Sequence, residues 1–149
     1  MTRNLAIQLT AMALCIGAAA SSAGAHHSHA MFYDPCKSLT LEGRVERVQW
    51  KDPHILLDVT LDDGTTYHAE WMGLRGLANR GSVEPAQAAL TLGARVVVIG
   101  NLLRDPAQIR ASFPDFKDSR GPNLVDVTQI RRADNSWGWQ QESPTCTRK

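Results

Sequence analysis

The sequence has little of what marks the common functional classes. Its longest apolar stretch, residues 5–20, is interrupted by Gln8 and Thr10 and falls short of the ~20 residues a helix needs to span a bilayer. No charge of one sign dominates, because 16 Lys and Arg face 15 Asp and Glu for a net charge of +1. A balanced surface gives no electrostatic support for nucleic-acid binding, and the scattered charges form no polybasic membrane patch. Internal repeats and low-complexity segments are absent. So are the Gly-x-Ser-x-Gly, His-Glu-x-x-His and phosphate-loop patterns, which leaves no recognisable hydrolase, metalloprotease or nucleotide-binding machinery. Cysteine is scarce, at three, and no Cys-x-x-Cys redox pair occurs among them.

What is present begins with a secretory signal. Arg3 supplies the positive charge, residues 5–20 the apolar region, and Ser21-Ser22-Ala23-Gly24-Ala25 the small residues of a cleavage site. Cleavage after Ala25 satisfies the A-x-A rule through Ala23 and Ala25; cleavage after Ala23 satisfies it less well. Leu14 before Cys15 argues against a lipoprotein anchor, which wants a small residue there. About 120 residues then remain, enough for one domain and one core. A periplasmic or secreted location follows, where disulfides persist. Cys36 and Cys146 form one bridge on the simple reading, closing a loop worth about 4.7 kcal/mol by chain entropy; two free thiols are the other.

The mature chain reads as mostly β. Leu39, Leu41 and Val45 occupy odd positions and Val48 and Trp50 even ones, a phase change that predicts a bulge at Glu46-Arg47 in a long, bent first strand. Ile55, Leu57, Val59 and Leu61 predict a second strand over 54–61, and Tyr67, Ala69 and Trp71 a third over 65–71. A three-residue loop with Gly64 in the left-handed region keeps both apolar sets on one face. It sets His68 opposite Asp58 on the other face and leaves His54 at the strand's beginning. Short helices are expected in 73–80 and 85–90, a strand buried on both sides over 95–100, a long connection over 104–123, and a last strand over 124–130. That order predicts a small five-stranded OB-like barrel with a short helix between strands 3 and 4; a β-sandwich would want more strands. Leu57, Val59, Tyr67, Trp71, Val97 and Val127 are the expected core. Residues 1–25 are expected as signal peptide, 26–38 as a histidine-containing amino-terminal segment, 39–132 as the barrel and 133–149 as a polar tail.

Chemistry concentrates in His26, His27 and His29 at the new terminus, and in His54 after Pro53. An amino-terminal histidine chelates through its α-amine and a ring nitrogen, which suits square-planar copper(II). A third nitrogen from another histidine completes the T-shaped arrangement called a histidine brace. Cleavage after Ala23 instead exposes Gly24-Ala25-His26, itself a four-nitrogen copper or nickel site. The competing reading is a solvated histidine cluster with no metal role. For His54 the competing reading is a cap on the turn, and for His68 a surface partner for Asp58.

The residues His26-His27-Ser28 with Ala30 and Phe32, Leu41-Glu42-Gly43 with Val45, Trp50 before Pro53-His54, and Trp71 carry a resemblance. It continues through Leu77 to Gly81, Leu92-Gly93, Val96 to Gly100 and Arg104-Asp105. On these the sequence resembles a family of small exported bacterial proteins of unknown function, marked by a His-His-Ser start and an Asn-Pro-His motif. Asp52 stands where that motif has Asn and His29 where an aromatic residue is common, while Cys36 and Cys146 lie outside the pattern. Asp52 then adds a carboxylate near any metal held by His54. The resemblance implies export and one compact β domain but no activity. The leading expectation is an exported copper-binding protein with His26, His27, His29 and His54 as ligands, no nucleic-acid partner and no stable membrane insertion. The alternative is an OB-like module that binds a small molecule, glycan or protein through its barrel face and the 104–123 loop. A copper monooxygenase ranks last, because no companion motif accompanies the histidines.

Overall fold

The computed structural model describes residues 29–117, 121–141 and 146, with side chains from residue 31 onward. The alternating apolar residues form six strands: β1 (Tyr33–Gln49), β2 (His54–Leu61), β3 (Thr66–Met72), β4 (Arg95–Leu103), β5 (Leu124–Arg132) and β6 (Gly138–Gln140). β1 pairs antiparallel with both β2 and β4, and β4 with β5. β3 pairs with β5 in parallel, so the order β1-β2-β3-β5-β4 returns to β1 and closes a barrel. This closure, together with helices α2 (Leu74–Ala78) and α3 (Val83–Ala89) between β3 and β4, is the five-stranded Greek-key arrangement of an OB-like fold. A one-turn helix α1 (His29–Phe32) precedes β1. No helix among the described residues is long and apolar enough to cross a membrane.

The phase change in β1 is a bulge, with a register shift between Val45 and Arg47 against β2. Val45 accepts a hydrogen bond from Gly93 N–H (2.8 Å) and donates to Ala94 (3.0 Å), so the bulge is stitched to the turn that opens β4. The β2–β3 hairpin has the expected register, Asp58 opposite His68, with Gly64 at φ 86°. A one-residue slip there would have turned every apolar side chain outward.

Leu41, Val45, Ile55, Leu57, Val59, Ala69, Trp71, Val96, Val98, Val125, Val127 and Ile130 fill the interior, and Leu77, Ala86, Ala89 and Leu90 pack onto the same core from the helical segment. Val97 is buried on the opposite side of β4, outside that cluster. Of the expected core, only Tyr67 is half-buried rather than enclosed. Gly43 lies where β1 passes from β4 to β2 and is paired with both. A Cβ there would stand 2.5 Å from the Thr60 carbonyl oxygen and 2.9 Å from Val59 Cγ1. Because backbone cannot yield as a flexible side chain can, Gly43→Ala is expected to cost about 1–3 kcal/mol. Urea denaturation reads this as a lower midpoint at constant slope, and an unchanged midpoint would mean that β1 and β2 can separate locally.

Three segments depart from expectation. The 104–123 connection contains helix α4 (Pro106–Ser112). Asp105 caps it by accepting from Ala107 N–H at 2.7 Å, and Pro106 occupies its first turn, where a missing N–H costs nothing. The same Asp-Pro pair reads as a break when the helix behind it is short. At the other end of the chain, β1 begins at Tyr33, inside the segment expected to lead into the barrel. Pro35 and Cys36 fall where the register against β4 shifts between Asp34 and Ser38, so the strand carries a proline without losing a regular ladder bond. Finally, the polar tail includes β6, which pairs Trp139 with Ile130. Asp134 accepts from Ser136 N–H and Oγ, and Asn135 adopts φ 59°, which turns the chain back and buries Trp139 to 8% exposure. Cys146 is joined to Cys36, with Cα atoms 4.9 Å apart, so the tail is held by packing as well as by the bridge.

Candidate functional site

Along β2, residues 55, 57 and 59 are fully buried, so His54, Leu56 and Asp58 point outward. Outward from β3 point His68 and Glu70, which alternate with the core residues Ala69 and Trp71. Cross-strand partners share a face, which aligns Leu56, Glu70, Asp126 and Asn101 in one row over β2, β3, β5 and β4. This row is the least expected part of the molecule. Asp126 is 5% and Asn101 3% exposed, although both lie outside the barrel core. Tyr33, at the start of β1 and itself buried, donates its hydroxyl to Glu70 Oε2. The chain just before it is fixed against the β4–β5 connection: the Phe32 ring lies 5.2 Å from Phe113 and 5.5 Å from Phe116, and Phe32 O accepts from Arg104 N–H at 2.8 Å.

The sequence-derived site residues separate into three groups. His26 and His27 lie outside the described residues, and His29 opens α1. His54 is half-buried, opposite Met72, and its diagonal neighbour on β3 is Glu70, at a spacing of about 7–8 Å in a regular ladder. Among the described residues no group of three His, Cys, Asp or Glu side chains converges to hold a metal ion. Asp52 is engaged by α2. Its carboxylate accepts from Arg75 N–H at 3.1 Å at the start of α2.

His68 serves Asp58. Its Nδ1 lies 2.8 Å from Asp58 Oδ1, while Arg47 Nε donates to Oδ2 at 2.7 Å. Burial pushes the Asp58 carboxyl pKa up, but the hydrogen bonds from His68 and Arg47, with the Arg47 charge, outweigh it and hold the group below its usual 3.8. A carboxylate whose pKa is depressed on folding stabilises the fold above the unfolded pKa, and that contribution is lost as pH falls through the folded one. Asp58→Asn is therefore expected to cost about 1 kcal/mol or less at neutral pH and less near pH ~2, where the carboxylate it replaces is more protonated. Thermal melts at the two pH values check this, and an equal deficit at both would mean that the carboxylate's charge is immaterial.

Fold and site together define an OB-like barrel whose outer face, over β2, β3 and β5, carries a partly buried polar row reached by the amino-terminal segment. The chain belongs to a family of unknown function (DUF6152), whose model matches residues 13–110. No curated protein matches it. Among solved structures it is similar to the S. pombe Stn1-Ten1 complex, at 10% identity and a TM-score of 0.43, over 64% of this chain and 57% of that one. It is also similar to the aspartyl tRNA synthetase of Entamoeba histolytica, at 16% identity and a TM-score of 0.45, over 84% of this chain and 24% of that one. Likenesses this distant carry no functional argument, and the barrel assignment stands on the strand pairing itself.

The sequence signal missed Tyr33, Glu70, Asn101 and Asp126. Each reads as an ordinary polar member of an alternating strand, and only their lateral alignment makes a site.

Proposed function

We propose that the protein is exported and binds a transition metal, copper(II), through its processed amino-terminal histidines. The supporting observation is where the chain enters the barrel. Tyr33 is bonded to Glu70 on the face that also carries Asp126 and His54, and His29 begins the helical turn just before it. His29 lies four residues before Tyr33 in the sequence, so on this reading the processed terminus enters the barrel beside that face. Glu70 and Asp126 stand at paired positions on β3 and β5, and two carboxylates so placed favour a cation nearby. His26 supplies the amine and first ring nitrogen, with His27, His29 and His54 as the further nitrogen donors. The Cys36–Cys146 bridge is of the kind an oxidising compartment maintains, which supports export.

The test is metal analysis of untagged protein recovered from the periplasm, with its amino-terminal sequence determined alongside. One copper per chain beginning at His26 is expected. A chain that still carries residues 1–20 would overturn the export reading, and a correctly processed chain that takes up no copper would overturn the metal reading alone.

A further inference from the structure

The loop that steadies the amino-terminal segment also encloses a cleft unrelated to the histidines. Between the end of β4, α4 and the return to β5 lies a cavity of about 400 Å³, within the range of small-molecule sites. Leu103, Pro106, Phe116 and Pro122 supply its apolar walls, and Arg110 and Lys117 its charge. Local structure explains the combination. Pro106 and Arg110 are four apart on α4 and so share a helix face, while Ile109 beside them is buried and fixes that helix to the barrel. Phe116 closes a turn by donating its N–H to Phe113 O at 2.9 Å, and its ring leans on Phe32. Among the described residues no acidic side chain lines the cavity.

Two cations beside an apolar cavity, with no carboxylate among its described lining residues, complement one type of ligand. We propose that this cleft binds a small amphipathic carboxylate, with the carboxylate between Arg110 and Lys117 and an apolar body against Leu103, Phe116 and the two prolines. Each half of the site excludes a simpler occupant. A hydrated inorganic anion would satisfy the cations but leave the apolar walls wet, and an uncharged hydrocarbon would cover the walls but desolvate both cations without a partner. A chain of about eight to ten carbons fits the volume. The proposal goes beyond the metal reading and does not depend on it, since none of these six residues is a metal donor.

Calorimetric titration of the processed, full-length protein with decanoate tests the idea, with decanol and inorganic phosphate as the probes that carry only one half of the chemistry. Decanoate should bind saturably at one site, and decanol and phosphate each at least tenfold more weakly. Arg110→Gln with Lys117→Gln, both at exposed positions, should keep the melting temperature and weaken decanoate by about tenfold or more, the loss expected for a charge-assisted pair. Magnetisation transfer from decanoate methylenes to the Phe116 ring should place the ligand in the cleft. The proposal is overturned if decanoate shows no saturable binding, if decanol or phosphate binds as tightly, or if the double variant binds decanoate unchanged. None of these outcomes bears on copper, which is assayed separately at the amino terminus.

Discussion

Trp71→Ala is expected to leave most of the protein unfolded at room temperature. Trp71 is 1% exposed and stands at the centre of an aromatic cluster, edge-on to Trp139 at 5.1 Å, Trp137 at 6.3 Å and Trp50 at 6.5 Å. Truncating a buried tryptophan costs about 3–5 kcal/mol through lost transfer energy and the cavity left behind. Edge-to-face contacts are worth about 0.5–1.5 kcal/mol each beyond area burial, and this residue makes three. The loss approaches the whole stability of an ordinary small domain, about 5–15 kcal/mol. Circular dichroism in a urea series measures it, and hydrogen exchange at Ile130 should quicken first, because β6 is held to β5 partly by Trp139. Trp71→Phe should cost less than half as much. The indole Nε1 is buried with no hydrogen-bond partner among the described residues, so phenylalanine gives up ring area and one edge contact but no polar bond. A phenylalanine variant as damaged as the alanine one would mean that a buried water satisfies Nε1 in solution.

Acetylation of the α-amine of the processed chain is expected to weaken copper(II) binding by at least about 100-fold, or ~2.7 kcal/mol. The amine loses its proton near pH ~7.7, so displacing that proton by a metal costs little at neutral pH. An acetylated nitrogen has no such lone pair to give. His54→Ala and Glu70→Gln should have smaller effects, of a fewfold each. Both side chains lie on the barrel face, and on the proposed reading His54 would add one nitrogen and Glu70 would orient Tyr33, neither supplying the two-donor chelate of the amino-terminal residue. Competition titration against a chelator of known affinity reads all three. Equal affinity for the free and acetylated termini would reject the amino-terminal site, and a His54→Ala variant that binds as the parent would confine the ligands to residues 26–29.

Much of this architecture was legible in the sequence because it is local or carried by a two-residue period. The shift of apolar residues from odd to even positions around Glu46 located the bulge. Gly64 set the loop length and hence the pairing of Asp58 with His68, and the alternation in 54–61 and 124–130 gave strands that the structure retains. Helix α4 was hidden because two capped turns with proline at their start resemble a loop. The polar tail concealed β6 because a single pair of tryptophans two residues apart is too short an alternation to distinguish a strand in a hydrophilic stretch. The site itself lay beyond any such signal. Alternation placed Asp126 on the outer face of its strand but gave no reason for it to be buried, and Tyr33 and Glu70 are 37 residues apart. The barrel's closing pair, β3 with β5, sets Glu70 beside Asp126. Periodicity states which way a side chain faces, but which strand lies next to it is decided by the free energy of closing the sheet, a quantity distributed over the whole chain.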